Sequence, residues 1–226
     1  MVIAAVKDAL RDAGRPVVEL QRLASVKARK LFIVPHLSTG GQPQYTLRQI
    51  EKAQQRGDTV EVLEWNHLSD EYTVQRKSIE NLCRIRVMNC GNRPMELRKL
   101  IRLIKPTTIH LQEFSEMFLS AAEADVLYSR TRDYTITETT HNSGFKPDQK
   151  RWFPDKIETV CRYHQELFTS LGVPIELVPY DPQAQPRPSR TAALKALNLK
   201  PEQRHILNVG LFTPEKNQGE VFEVAR

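Results

Sequence analysis

Apolar runs of strand length take turns with helical segments along most of this chain, and that alternation leaves few folds open. "KLFIVP" is a continuous apolar run suited to a strand buried on both faces. "PQYTLRQIEKAQQRG" follows as a helix, with Pro43 near its first turn and Gly57 as its C-cap, and "DTVEVLEW" is the next strand. This is a βαβ unit. The pattern then repeats. "CRIRVM" (83–88) reads as a strand and "PMELRKLIRLIK" (94–105) as a helix, in which Leu97, Leu100, Ile101 and Ile104 keep one face. "TTIHLQE" (107–113) is a strand, "FSEMFLSAAEADVLYSRT" (114–131) one helix, and "DYTITETTH" (133–141) a strand. "KIETVC" and "IELVPY" are two further strands around a helix over 162–171. The expectation is an α/β fold: a Rossmann-like, doubly wound, mostly parallel sheet.

Residues 1–28 precede the first strand and read as a helical N-terminal extension of two short helices separated at Gly14-Arg15-Pro16. They are expected to cover apolar surface of the domain that follows. Residues 29–180 form the main domain. "DPQAQPRPSR" (181–190) has three prolines and no periodicity, and reads as a linker. Residues 191–226 offer a short helix, a strand over 205–212 and the start of another helix, the opening of a second Rossmann-like domain that cannot bury a core alone.

The charge of +6 is spread along the chain and favours anionic partners in general. No helix-turn-helix, zinc or RNP-like pattern points to nucleic acid, and no carboxylate-rich or cysteine–histidine pattern calls for a metal or other cofactor. The three cysteines, Cys83, Cys90 and Cys161, suit a reducing cytoplasm, and "MVIAAVKDALRDAG" does not read as a signal peptide. Arg98, Lys99, Arg102 and Lys105 form a basic helix face, either simply solvated or drawn to an anionic lipid surface in a peripheral membrane contact.

Three constellations could carry chemistry. Gly40-Gly41 stands between the first strand and its helix, followed by Gln42; the pair serves a turn needing positive φ, or brings a ligand close to backbone N–H groups at a helix N-terminus. "TETTHNSGF" puts His141 and Asn142 at the carboxyl edge of the fifth strand, and "IHLQEF" puts His110 and Glu113 at that of the fourth. Strand alternation turns His110 into the packing and leaves Glu113 near the rim, as a solvated glutamate or a ligand contact. In "NVGLFTPEKN", Lys216 opens a helix, either facing solvent or neutralising a phosphate. Cys161 and His164 are three apart but have no evident third partner, so Cys161 reads as a small packed group.

Taken together, "VPHLSTGGQPQY", "TTHNSGF", "VPY" before a proline-rich linker, and "ILNVGLFTPEKN" resemble the retaining GT-B glycosyltransferases of glycosyltransferase family 4. The resemblance runs from about Lys30 to the last residue. It implies an N-terminal, acceptor-side domain over 29–180 and only the beginning of the C-terminal, donor-binding domain. It further implies Gly40, Gly41 and Gln42 beside donor phosphates and acceptor, Glu113 and Asn142 as further substrate contacts, His141 as the catalytic-site group meeting the transferred sugar, and Lys216 at the diphosphate. The family's G-R-L-x-P-E-K-G stands here as Gly210-Leu211-Phe212-Thr213-Pro214-Glu215-Lys216-Asn217, so Leu211 replaces the phosphate-binding arginine. The family's E-x7-E element is expected far downstream of this lysine, and neither of the chain's two such spacings, Glu158/Glu166 and Glu215/Glu223, occupies its place.

The resulting expectation is a hexosyl transfer from a nucleotide sugar to a glycan, lipid-linked or other acceptor, in glycan or cell-surface polysaccharide synthesis, without a metal. It is placed in the cytoplasm or at the inner membrane surface, with this piece alone inactive. The rival from another class is a non-catalytic Rossmann-like module that binds an anionic ligand or a protein partner.

Overall fold

The computed structural model describes residues 27–38, 40–68, 73–88, 90–180, 188–205, 219–220 and 223. The expected helices within 1–28 and the expected strand over 205–212 lie outside these residues, save for their edges, as does Lys216. Two compact units divide the chain at Tyr180 and Asp181.

The first unit is a seven-stranded sheet in which every neighbouring pair is parallel. Its strands are β1 (Arg29–Val34), β2 (Thr59–Glu64), β3 (Arg84–Val87), β4 (Thr108–Leu111), β5 (Thr135–Thr140), β6 (Lys156–Thr159) and β7 (Ile175–Leu177). The helices between them are α1 (Gly41–Gln55), α2 (Val74–Glu80), α3 (Arg93–Ile104), α4 (Ala121–Leu127) and α5 (Arg162–Phe168). The strand order is β3-β2-β1-β4-β5-β6-β7. The chain therefore winds one way from β1 and then crosses back to start β4 on the other side. This is the doubly wound α/β arrangement expected from the sequence.

The apolar runs explain the layers. In β1, Leu31 to Val34 are all at most 2% exposed, which requires cover on both faces. Leu31 and Ile33 join Leu63, Trp65, Ile109 and Leu111 in a core layer with Leu97 of α3 and Leu127 of α4. Phe32, Val34 and Val62 point the other way, against Ile50 and Ala53 of α1 and Ile79 of α2. A smaller cluster of Phe114, Phe145, Ile157 and Phe168 fills the space under α5.

Several local expectations need correcting. The single helix over 114–131 is two pieces, a 3-10 turn Ser115–Met117 and then α4. Ser120 forces the restart: its hydroxyl accepts from Glu123 N while the Glu123 carboxylate accepts from Ser120 N at 2.6 Å, a reciprocal cap that defines a new N-terminus. Helix α2, unread in the sequence, crosses a polar stretch whose only buried residue is Ile79. Gly57, at φ +85°, does end α1, and α3 starts on Asn92, whose side chain accepts from Met95 N at 3.2 Å.

In the second unit, α6 (Arg190–Ala196) is capped by Ser189, whose hydroxyl accepts from Ala192 N at 3.2 Å, and Arg190 donates to the Pro201 carbonyl. Among the described residues no helix is long and apolar enough to cross a membrane.

Candidate functional site at the strand-order reversal

The reversal between β1 and β4 opens a crevice at the carboxyl ends of the strands, the place where open α/β sheets take ligands. The segments that leave these two strands, and the neighbouring β5, bring Gly40, Gly41, Gln42, Glu113 and His141, all singled out in the sequence, to one locality.

Gly40 is the N-cap of α1 at φ +155°, a conformation that L side chains rarely adopt. Among the described residues no side chain caps this helix, and its first turn carries no acidic residue. Pro43 has no N–H, so the donors at the helix start are those of Gly41 and Gln42, which face away from the helix's own carbonyls. Gly41 lies close to Tyr180. A Cβ on it would stand 3.4 Å from the Tyr180 hydroxyl, at the near edge of ordinary contact. Gln42 points across the reversal, where its amide donates to the Gln112 carbonyl at 2.8 Å.

Glu113 is not at a solvated rim, as strand alternation suggested. The chain bends after Leu111, and the Glu113 side chain turns inward to 8% exposure. One carboxylate oxygen accepts from Phe114 N at 3.1 Å and the other from His141 N at 3.2 Å. Burial pushes its carboxyl above the usual range, with these hydrogen bonds opposing the shift. Glu113 therefore ties the end of β4 to the end of β5.

His141 follows β5 directly. Its Nδ1 is hydrogen-bonded with the Tyr180 hydroxyl at 3.1 Å, and Tyr45 of α1 meets its ring edge-on at 5.0 Å between centroids. Tyr45 and Tyr180 also pack edge-on, at 5.1 Å. Its Nε2 is shielded from solvent and has no hydrogen-bond partner among the described residues. Burial lowers the imidazole to about 4, with His110 and His164 adding to the effect, so the ring is neutral at physiological pH. Asn142 follows His141, and its side-chain oxygen accepts from Gly144 N at 2.6 Å in a tight local turn.

His110 lies in the packing, as expected. It stacks on Phe32 at 5.1 Å and shares a 2.7 Å hydrogen bond with Thr139. Burial lowers it to about 4 as well. His164 is buried beside Phe168, and Cys161 is the residue before α5. Three further site residues went unread in the sequence: Tyr45, Tyr180 and Gln112. The two tyrosines end the quoted stretches "VPHLSTGGQPQY" and "VPY", but nothing in a linear sequence shows that they meet over His141. Gln112 is fully buried, and neither atom of its side-chain amide has a partner among the described residues.

A separate buried network stiffens the loop after β5. Lys150 Nζ lies 2.6 Å from Glu138 and 2.7 Å from Glu116, and the Tyr128 hydroxyl donates to Glu138 at 2.6 Å. Among the described residues no group of three or more His, Cys, Asp or Glu could hold a metal ion.

No protein-family model and no curated protein matches the sequence. Among solved structures, the chain is similar to a glycosyltransferase from Rickettsia africae ESF-5, with a TM-score of 0.45 and 12% identity, over 87% of this chain and 50% of that one. It is also similar to MurG of Acinetobacter baumannii, with a TM-score of 0.35 and 10% identity, over 68% of each chain. This chain spans about half the length of the first of these structures. Similarity at these levels assigns no activity.

Proposed function

We propose that the crevice between β1 and β4 belongs to a sugar transferase that draws on a nucleotide-sugar donor, with residues 29–180 as its acceptor-side domain. The observation that carries this reading is the position of Tyr180. Its hydroxyl stands 3.1 Å from His141 Nδ1 and 3.4 Å from the point a Gly41 side chain would occupy. The glycine-led N-terminus of α1 and the histidine are thereby immediate neighbours at one strand-order reversal. The order of the quoted motifs, which resembles retaining family 4 enzymes, supplies the substrate class.

The chemistry suits these groups. Glycosyl transfer passes through an oxocarbenium-like state while negative charge grows on the departing diphosphate. The backbone N–H groups of Gly41 and Gln42 at the start of α1 are fixed dipoles that stabilise such charge without a metal. His141 is neutral and offers hydrogen bonding to a sugar hydroxyl without competing for the diphosphate. An unpartnered buried nitrogen costs on the order of 1–3 kcal/mol, a cost that a ligand oxygen at Nε2 would remove. Glu113 holds the His141 backbone and so places the ring. In the same reading Lys216 adds a cation at the diphosphate, the acceptor is a glycan or lipid-linked molecule, and the protein works in the cytoplasm or at the inner membrane surface.

The reading is tested by thermal shift of the chain with UDP-, GDP- and ADP-sugars, each beside its nucleoside diphosphate alone. It expects stabilisation by at least one nucleotide sugar, lost in His141→Ala. Equal stabilisation by diphosphate and sugar nucleotide, unaffected by His141→Ala, would favour the anion-binding module instead.

A further inference from the structure

A cavity of about 420 Å³ opens between the 3-10 turn after β4 and the loop after β5, and none of the residues assigned to the strand-order reversal lines it. Its volume falls within the range of small-molecule sites, and most of the surface it presents is polar, with the apolar side chains forming the smaller part. Leu119 and Phe145, each 8% exposed, lie buried in its lining, and Met117 and the Trp152 indole are further apolar walls. Gln149 and Arg151 supply the polar groups.

The lining is held rigidly by one acid. Glu116 Oε1 accepts from the backbone N–H groups of both Arg151 and Trp152, at 2.7 and 3.0 Å, and Oε2 accepts from Lys150 Nζ at 2.7 Å and from the Ser115 hydroxyl at 3.2 Å. Trp152 is pinned at its other end too, its indole N–H donating to Asp125 at 3.1 Å. The Glu116 carboxylate, although it lines the cavity, is fully engaged, and Lys150 chiefly offsets the cost of its burial, holding its carboxyl below the ordinary range. The Arg151 side chain is exposed, and its guanidinium has no hydrogen-bond or ion-pair partner among the described residues. Gln149 uses its side-chain oxygen on Lys146 N at 2.7 Å, which leaves its amide N–H groups available.

We propose that this cavity binds a small organic oxyanion: a flat or ring-shaped apolar body lying against Trp152 and the apolar walls, with a phosphate or carboxylate reaching Arg151 and the Gln149 amide. Preorganised walls lower the entropy lost on binding, and a guanidinium without an internal partner loses no ion pair when it takes an anion. The site does not depend on the transferase reading, since it shares none of the residues assigned to the crevice.

The chain has two tryptophans, which makes the test direct. Trp65 is fully buried in the core and serves as an internal reference for Trp152. The full chain carrying fluorotryptophan is titrated with phenyl phosphate and followed by fluorine NMR. The expected result is a saturable shift of the Trp152 resonance with Trp65 unmoved, and binding about tenfold weaker in Arg151→Ala, as loss of one charged hydrogen bond implies. Neutral phenyl glucoside and inorganic phosphate alone are each expected to bind more weakly than phenyl phosphate. An absent or unsaturable Trp152 shift would overturn the proposal, as would affinity unchanged in Arg151→Ala, or inorganic phosphate binding as tightly as phenyl phosphate. Arg151 is exposed, so its replacement leaves the fold intact, and the Trp65 resonance verifies that.

Discussion

The Glu113 carboxylate accepts a hydrogen bond from the backbone N–H of His141 at 3.2 Å, joining the ends of two neighbouring strands through one buried acid. Replacing Glu113 with leucine strands both this N–H and that of Phe114. The expected loss is about 2–4 kcal/mol of unfolding free energy in urea, because buried donors without acceptors cost about 1–3 kcal/mol each and part of that is recovered by the apolar side chain. Glu113→Gln keeps one acceptor oxygen and is expected to lose roughly half as much. Equal stability of wild type and Glu113→Leu would show that the two N–H groups find water instead.

Acid weakens this fold through its histidines. His110 and His141 are both lowered from 6.5 to about 4 by burial, so the unfolded chain binds protons that the folded one does not. Stability from this source is complete above pH 6.5 and is lost as pH falls through about 4. For His110, buried to 7% exposure, the difference amounts to something on the order of 2–4 kcal/mol. Urea titrations across this pH range check the slope. His110→Asn should take up about one proton fewer on unfolding.

The two glycines separate a backbone requirement from a spatial one. Gly40→Ala puts a side chain at φ +155° and is expected to cost about 1–3 kcal/mol. Gly41→Ala replaces glycine inside a helix, a gain of up to about 1 kcal/mol, and brings a methyl into ordinary contact with the Tyr180 hydroxyl. The prediction is unchanged or slightly raised stability for Gly41→Ala with weakened nucleotide-sugar binding, and lowered stability for Gly40→Ala. Calorimetry paired with ligand titration distinguishes them.

Lys150→Met leaves Glu116 and Glu138 facing each other without their shared cation. Breaking a buried ion pair by removing one partner costs about 3–5 kcal/mol, and a loss of that size in chemical denaturation is expected here. A change below about 1 kcal/mol would mean that one carboxyl is already protonated in the native protein.

Much of the fold was legible because parallel strands buried on both faces write themselves as apolar runs, unbroken in "LFIV" and interrupted only by Glu61 and Glu64 in "VEVLEW". What escaped had physical causes. The break at Ser120 depends on a capping exchange with Glu123 that overrides a continuous helical pattern. The α2 helix buries one residue and so has almost no periodicity to read. The clustering of Gly40, Gly41, Gln42 and His141 at the strand ends was legible because a glycine pair or a polar cluster stands where an apolar strand stops. Glu113 was placed on the wrong side of its strand end, since alternation does not survive the bend that follows Leu111. The meeting of Tyr45 and Tyr180 over His141 joins residues up to 135 positions apart (180 minus 45), and only the order of the strands brings them together.

The most direct test of the central claim is a residue-resolved amide NMR titration of the chain with the nucleotide sugar that gives the largest thermal shift. The account predicts saturable shifts concentrated at Gly40, Gly41, Gln42 and His141, with the His141 side chain also responding. Shifts located elsewhere on the domain, or none at millimolar ligand, would contradict it.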